Sequence, residues 1–453
     1  MTVRLPNDQD LWPSIVKILE SVVHADAAYR SADLVKNTLQ SIYSSFTGKD
    51  SSQKFADIPL MFGSLPEDVV RQFIKVTFPS LCADVAAWGV SPSWSDSLPF
   101  LAEGGASIAR FSAVEAYLLL AQCFLCIPLV RGDGSFLVSE TTCHLFFTNR
   151  PRICSKLSCL VNYFNVMVAA KSSKLFPAVS TEALLGRSIE LERLVAPKLR
   201  GAEWWCSQTD IGLCGVEVRE KFERIETAHD ALQADFANKH IGGGVLRRGC
   251  VQEEIRFMIS PECLLAVMLT DPLAENEAVV IRNTVQFCDY SGYSQSFKCR
   301  GLSREMLSLL DGRASHTLAS DAVVCIDAIP FGLETHMQFH VPLIVRELEK
   351  CRVGLSGGDH ASFATGNWGC GAFGGDTQLK AVVQWLACSV SRRQLIFFPF
   401  DDSNTENFPD LVLAAAGMSV GQVFALIVEG SDSQLSSKGT INYLLERIRN
   451  IDR

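Results

Sequence analysis

No continuous apolar run of about 18 residues occurs in the chain, which argues against a membrane-spanning helix. The first residues, MTVRLPNDQDLW, lack the apolar segment that opens a secretory leader. Without secretion, disulfides are not expected, and the sixteen cysteines read as buried core thiols. Only Cys123 and Cys126 stand at a metal-type spacing, and no second pair lies nearby to complete a four-ligand zinc site. Basic residues are outnumbered, 41 Lys and Arg against 50 Asp and Glu, for a formal net charge of −9. The chain thus lacks the basic footprint of direct nucleic-acid binding, although a local pocket for a phosphorylated ligand remains compatible with it. Coiled-coil heptads are absent, so a monomer is expected. Neither a P-loop nor a strand followed by GxGxxG is present, which argues against NTPase and dehydrogenase chemistry. The expectation is a folded protein of the nucleus or cytoplasm, with no metal and no cofactor.

What is present is a composition for folding: 453 residues, 48% hydrophobic and 20% charged, enough for more than one domain. Helical periodicity marks DLWPSIVKILESVVHADAAY and PEDVVRQFIKVTFPSLCADVAAW. SAVEAYLLLAQCFLCIPL opens with Ser112 and carries Glu115 three residues later, a capping box. The texture changes near residue 150. SCLVNYFNVMVAA, ALQADFAN, EAVVIRNTVQF, DAVVCIDAI and QLIFFPF read as strands, interleaved with helices such as PLIVRELEKC and DTQLKAVVQWLACSVS. Strands alternating with helices indicate an α/β layered fold around a buried sheet. The expected division is a helical accessory domain over 1–150 and an α/β domain over 151–453.

Four segments carry chemistry. DFANKHIGGG places Asp235 and Asn238 at the end of a strand and then three glycines, whose bare backbone allows close approach to an anion. Next come Gln252, Glu253 and Glu254, opening a helix. As a structural feature they suit the helix dipole. As a chemical one, two crowded carboxylates raise the pKa of one member, which suits protonation of a glycosidic oxygen. CDYSGYSQSF sets Tyr290 and Tyr293 around Gly292, where aromatics stack on a base or simply pack. ATGNWGCGAFGGDTQLKAVVQWLA is a glycine-dense loop running into a helix near Asp376, a ready anion site. Nothing in the sequence brings Cys370 and His360 together as a nucleophile and base.

Taken together, these residues resemble the poly(ADP-ribose) glycohydrolase family. DFANKHIGGGVLRRGCVQEEIRF is similar to its catalytic stretch, and DYSGYSQSF and ATGNWGCGAFGGDTQLKA to its other two hallmark segments. The likeness is dense from about Ala231 to Asp402. It implies a macrodomain-like core with a mixed central β-sheet flanked by helices, plus an N-terminal helical accessory domain. It also implies hydrolysis of the ribose–ribose bonds of poly(ADP-ribose), with ADP-ribosylated proteins as partners, a nuclear place in the response to DNA damage, and no metal. By position in the motif, Glu254 would be the general acid/base, Glu253 would hold ribose hydroxyls and Asp235 would support the loop. Asn238 would contact ribose, Gln252 would sit at the ligand, and Gly243 and Gly244 would cradle the diphosphate. Tyr293, with Tyr290 close by, would lie on the adenine side. Asn367, Gly371, Ala372 and Phe373 would close over the diphosphate, and Phe400 would line the adenine pocket. The spacer VLRRGC, with Arg247 and Arg248, is more basic than the family pattern. A macrodomain that reads ADP-ribose without cutting it is the alternative, disfavoured by the two extra carboxylates. A glycosidase of neutral sugars has no need for anion loops.

Overall fold

A computed structural model describes residues 3–4, 6, 11–88, 98–137, 141–172, 177–312 and 318–451. Most of the amino-terminal stretch read for a leader lies outside them. Among the described residues, besides a short antiparallel pair formed by Val3–Arg4 and Val130–Arg131, there are ten strands: β1 (Ser107–Ser112), β2 (Ser188–Val195), β3 (Val216–Val218), β4 (Leu232–Ala237), β5 (Glu277–Thr284), β6 (Cys288–Ser291), β7 (Lys298–Leu302), β8 (Asp321–Asp327), β9 (Ser362–Gly366) and β10 (Gln394–Phe398). Eight of them form one mixed sheet in the order β1-β2-β5-β8-β4-β9-β10-β3. From β8 to β3 all neighbours are parallel, whereas β1, β2 and β5 pair antiparallel. β6 and β7 form a separate hairpin.

Both faces of the sheet are covered, which is why its strands read as continuous apolar runs. Along β8 the residues alternate between two cores: Val323 and Cys325 enter one, Ala322, Val324 and Ile326 the other. Helices α1 (Trp12–Val23), α2 (Ala32–Thr47), α3 (Phe78–Trp88), α4 (Ala113–Phe124), α5 (Pro151–Lys171) and α6 (Gln252–Ile259) fill the first. α7 (Val341–Gly354), α8 (Thr377–Val390), α9 (Val420–Gly430) and α10 (Thr440–Ile451) fill the second. The capping box expected at α4 forms: Ser112 Oγ accepts the Glu115 N–H, and the Glu115 carboxylate accepts the Ser112 N–H at 2.7 Å.

One expected strand is a helix. SCLVNYFNVMVAA lies within α5, where residues on every side are buried, Lys156 included. A helix that is apolar all round loses its periodicity and reads like a buried strand. By length and composition α5 would also cross a membrane, but 89% of its apolar window is buried inside the protein. The division at residue 150 falls between elements that share a core. α5 packs with the N-terminal helices, and β1, from the N-terminal part, forms the outermost strand of the central sheet.

Candidate active site

The loops leaving the carboxyl ends of β4, β9 and β10, three adjacent parallel strands, carry the glycine-rich segments and Phe400. This edge is where ligands sit in open α/β sheets. After β4 the chain makes a tight loop over 238–251 and enters α6 at Gln252. Glu253 Oε1 accepts the Gly242 N–H at 2.5 Å and its Oε2 accepts the Asn238 N–H at 3.1 Å. Glu254 Oε1 accepts the Gly244 N–H at 2.9 Å and its Oε2 the Val251 N–H at 2.7 Å. Each glutamate is thus clamped to the loop by two backbone donors and stands in the first turn of a helix, where the dipole favours negative charge.

The glycines are there for the glutamates. Gly243 has φ +50°, and a Cβ on it would lie 2.6 Å from Glu253 Oε2 and 2.9 Å from Glu254 Oε1. On Gly249 a Cβ would lie 2.3 Å from Glu254 Oε1. In this structure the Gly243 N–H is donated to the His240 carbonyl at 3.0 Å and the Gly244 N–H to Glu254. Gln252 Oε1 accepts the Phe236 N–H at 2.8 Å and its Nε2 donates to the Ala234 carbonyl at 3.1 Å, so its amide fastens α6 to β4.

Burial, then the charges of Asp235 and Glu254, hold the Glu253 carboxyl well above the ordinary carboxylate range. Asp235, fully buried beside Cys325 of the neighbouring strand, is pushed up to about 7, chiefly by burial, with the Glu254 charge adding to the rise. A raised carboxyl favours protonation in the folded chain, which then binds more protons than the unfolded one. Stability contributed by Asp235 is present near its unfolded value of 3.8 and is lost as pH rises through about 7. In thermal melts, Asp235→Asn is expected to gain on the wild type as pH rises from about 5 to about 8. A difference that stays constant across that range would remove Asp235 as the source.

Lys156 was not legible as a site residue. From α5 its ammonium, fully buried, donates to the carbonyls of Gly249 at 2.7 Å and Arg247 at 3.1 Å. Burial lowers it to about 8. Arg247 and Arg248 themselves are exposed.

The β6–β7 hairpin brings Tyr293 to the same place. Its hydroxyl accepts the Gln252 N–H at 3.2 Å, and the residue is 53% exposed. Gly292, at φ +73°, turns the chain where any Cβ would lie 2.1 Å from the Ser296 carbonyl oxygen. Tyr290 points elsewhere: Arg224 covers one face of its ring, 3.9 Å from the centroid, and its hydroxyl donates to Glu226 at 3.2 Å. No pattern along the chain signals this pairing.

After β9, Asn367 Nδ2 donates to the Pro399 carbonyl at 3.1 Å, joining this loop to the one that follows β10. Gly369, at φ +75°, closes over buried Lys380. Lys380 pairs with Glu347 and lies 4.1 Å from the Trp368 ring centroid. Gly371 and Ala372 form an exposed tip, and the Phe373 carbonyl accepts the Phe331 N–H at 2.9 Å. Phe400 adopts φ +53°, uncommon for a residue with a side chain, and borders a cleft of about 450 Å³ with Val218, Arg219, Lys221 and Asp402. The structure thus gathers Asp235, Asn238, Glu253, Glu254 and Tyr293 closely, with the Asn367–Phe373 loop and Phe400 along the same edge of the sheet.

Comparison with known proteins bears on the whole. Residues 65–182 match the family model described as poly(ADP-ribose) glycohydrolase, helical domain, and residues 203–407 match its macro domain fold model. Poly(ADP-ribose) glycohydrolase 1 of Arabidopsis thaliana is 28% identical over 357 residues, 64% of this chain and 62% of the relative. Poly(ADP-ribose) glycohydrolase 2 of Caenorhabditis elegans is 34% identical over 310 residues, 66% and 59% respectively. The chain therefore spans about three fifths of the length of these relatives. A solved poly(ADP-ribose) glycohydrolase from Deinococcus radiodurans in complex with ADP-ribose is 14% identical. It covers 46% of this chain and 90% of its own at a TM-score of 0.30, and nothing rests on that overlay. With the helical model and the macrodomain model matching in order along most of its length, this chain belongs to the poly(ADP-ribose) glycohydrolase family.

Proposed function

We propose that the chain hydrolyses the ribose–ribose O-glycosidic bonds of poly(ADP-ribose) and releases ADP-ribose. The observation that carries the reading is the pair Glu253 and Glu254, each held by two loop N–H groups at the rim beneath Tyr293. Each carboxylate oxygen keeps a second lone pair, so the clamps leave room for a proton or a hydroxyl. Glu254 donates a proton to the departing ribose oxygen as the glycosidic bond breaks, and then takes one from the attacking water. Glu253 exchanges hydrogen bonds with ribose hydroxyls, and Asn238 contacts the same sugar. Asp235 supports the loop from below. The Asn367–Phe373 loop takes the diphosphate that the occupied glycine amides leave unserved, and Tyr293 and Phe400 border the adenine side. ADP-ribosylated proteins are the partners, and a monomer of the nucleus or cytoplasm is the working form.

The test is digestion of purified polymer by the pure chain. Free ADP-ribose is expected to accumulate, with inhibition by added ADP-ribose and none by neutral sugars. Tight polymer binding without release over long incubation would replace the hydrolase with a reader of ADP-ribose.

A further inference from the structure

Three cysteines far apart in sequence meet where the β6–β7 hairpin lies on α5. Cys159 comes from the middle of α5, Cys288 begins β6 and Cys299 lies in β7. Their sulfur atoms all lie within 4.8 Å of one another. A tetrahedral thiolate site, with bonds of about 2.3 Å, sets its sulfurs about 3.8 Å apart, so small side-chain rotations complete the geometry. Cys159 and Cys288 are fully buried, and Cys299 is half-buried, which leaves one side open for an ion to enter and for a water to take the fourth position. The lining is soft: Asn162 Nδ2 lies 3.9 Å from Cys299 Sγ, and Cys288 Sγ lies 3.9 Å from the Cys159 carbonyl. The other close sulfur contact, Cys123 to Cys143 at 3.6 Å, is a fully buried pair, without this opening.

We infer that Cys159, Cys288 and Cys299 form a binding site for a thiophilic d10 cation, with Zn2+ as the probe. Three thiolates and an open position suit such an ion. A disulfide, by contrast, would join two of the sulfurs and strand the third. The bound ion ties the hairpin that carries Tyr290 and Tyr293 to the helix that carries Lys156. It therefore joins the two supports of the rim through one centre, in a place that plays no part in bond cleavage.

The full chain, reduced with a phosphine and desalted, is incubated with Zn2+ alone and its retained metal is counted by mass spectrometry. Co2+ in place of Zn2+ gives a near-ultraviolet thiolate charge-transfer band as a second readout. One ion per chain is expected, with affinity at least about 100-fold weaker in Cys299→Ser and Cys299→Ala, since losing a ligand costs more than losing a group that only orients one. Cys206→Ser, at a half-buried cysteine of another element, keeps the ion. No retained zinc in the wild type, or equal retention in both Cys299 variants, overturns the site. Because the readout is metal content, that result is separate from whether polymer is cleaved.

Discussion

Replacing Glu254 with Gln is expected to slow polymer hydrolysis by about 10²–10⁴-fold, the range for removing a positioned general acid/base. ADP-ribose affinity is expected to survive, because the substitution keeps the shape and the anion loop lies elsewhere. The clamps add a second, smaller consequence. Oε1 and Oε2 both accept backbone N–H groups, from Gly244 and Val251. An amide offers one oxygen, so either orientation sets an NH2 against one of those donors. An unserved donor costs about 1–3 kcal/mol when fully buried, and these half-buried donors lose less. Melting temperature falls modestly while the rate falls steeply. Single-turnover digestion and ADP-ribose calorimetry on the same preparation separate the two. A rate within about tenfold of the wild type would move the proton-carrier role away from Glu254.

Gly249→Ala should be nearly as damaging, although it touches no reacting group. Its Cβ would stand 2.3 Å from Glu254 Oε1 and 2.8 Å from Gly244 Cα. The backbone has little room to retreat. The Gly249 N–H donates to the Gly244 carbonyl at 3.0 Å, and its own carbonyl is held by Lys156 at 2.7 Å. The carboxylate must give way instead and leave its two backbone donors. Displacement by about 1 Å at a reacting centre costs about 10² in rate, and overpacking costs about 1–3 kcal/mol in stability. Gly371→Ala is the matched control, because a Cβ there meets nothing within 4 Å; its melting temperature should not move. If Gly249→Ala digests polymer at the wild-type rate, the loop does not position Glu254.

How much of this was legible depended on how local the cause was. The helix opening at Gln252, the capping box of Ser112 and Glu115, and the strands at Leu232–Ala237 and Asp321–Asp327 each rest on a few neighbouring residues, and each appears where the pattern put it. α5 was misread because burial on all sides erases the period that separates helix from strand. β1 passed unread: only Ala109 and Phe111 of its six residues are buried, and its place in the sheet comes from pairing with β2 across a long stretch of chain. The glycines were read as room for a ligand, and the fold sets the protein's own carboxylates against Gly243 and Gly249. Sequence spacing does not say whether a bare backbone faces a ligand or a side chain ten residues on. Lys156, Cys159 and Cys299 lay outside the chemistry-bearing segments, and Cys288 inside one gave no hint of partners, because only the folded chain brings α5 against the 238–251 loop and the hairpin.

The contact between Lys156 and the carbonyls of Arg247 and Gly249 has a consequence for how this protein can be taken apart. The lysine stands in the region matched by the helical-domain model, and its two acceptors stand in the region matched by the macrodomain model. A macrodomain cut free at residue 203 would keep Asp235, Glu253 and Glu254 and lose the cation that holds their loop in shape. A chimera joining it to a foreign helical half would need an ammonium at the same spot. The two halves are therefore exchangeable between relatives only as a matched pair.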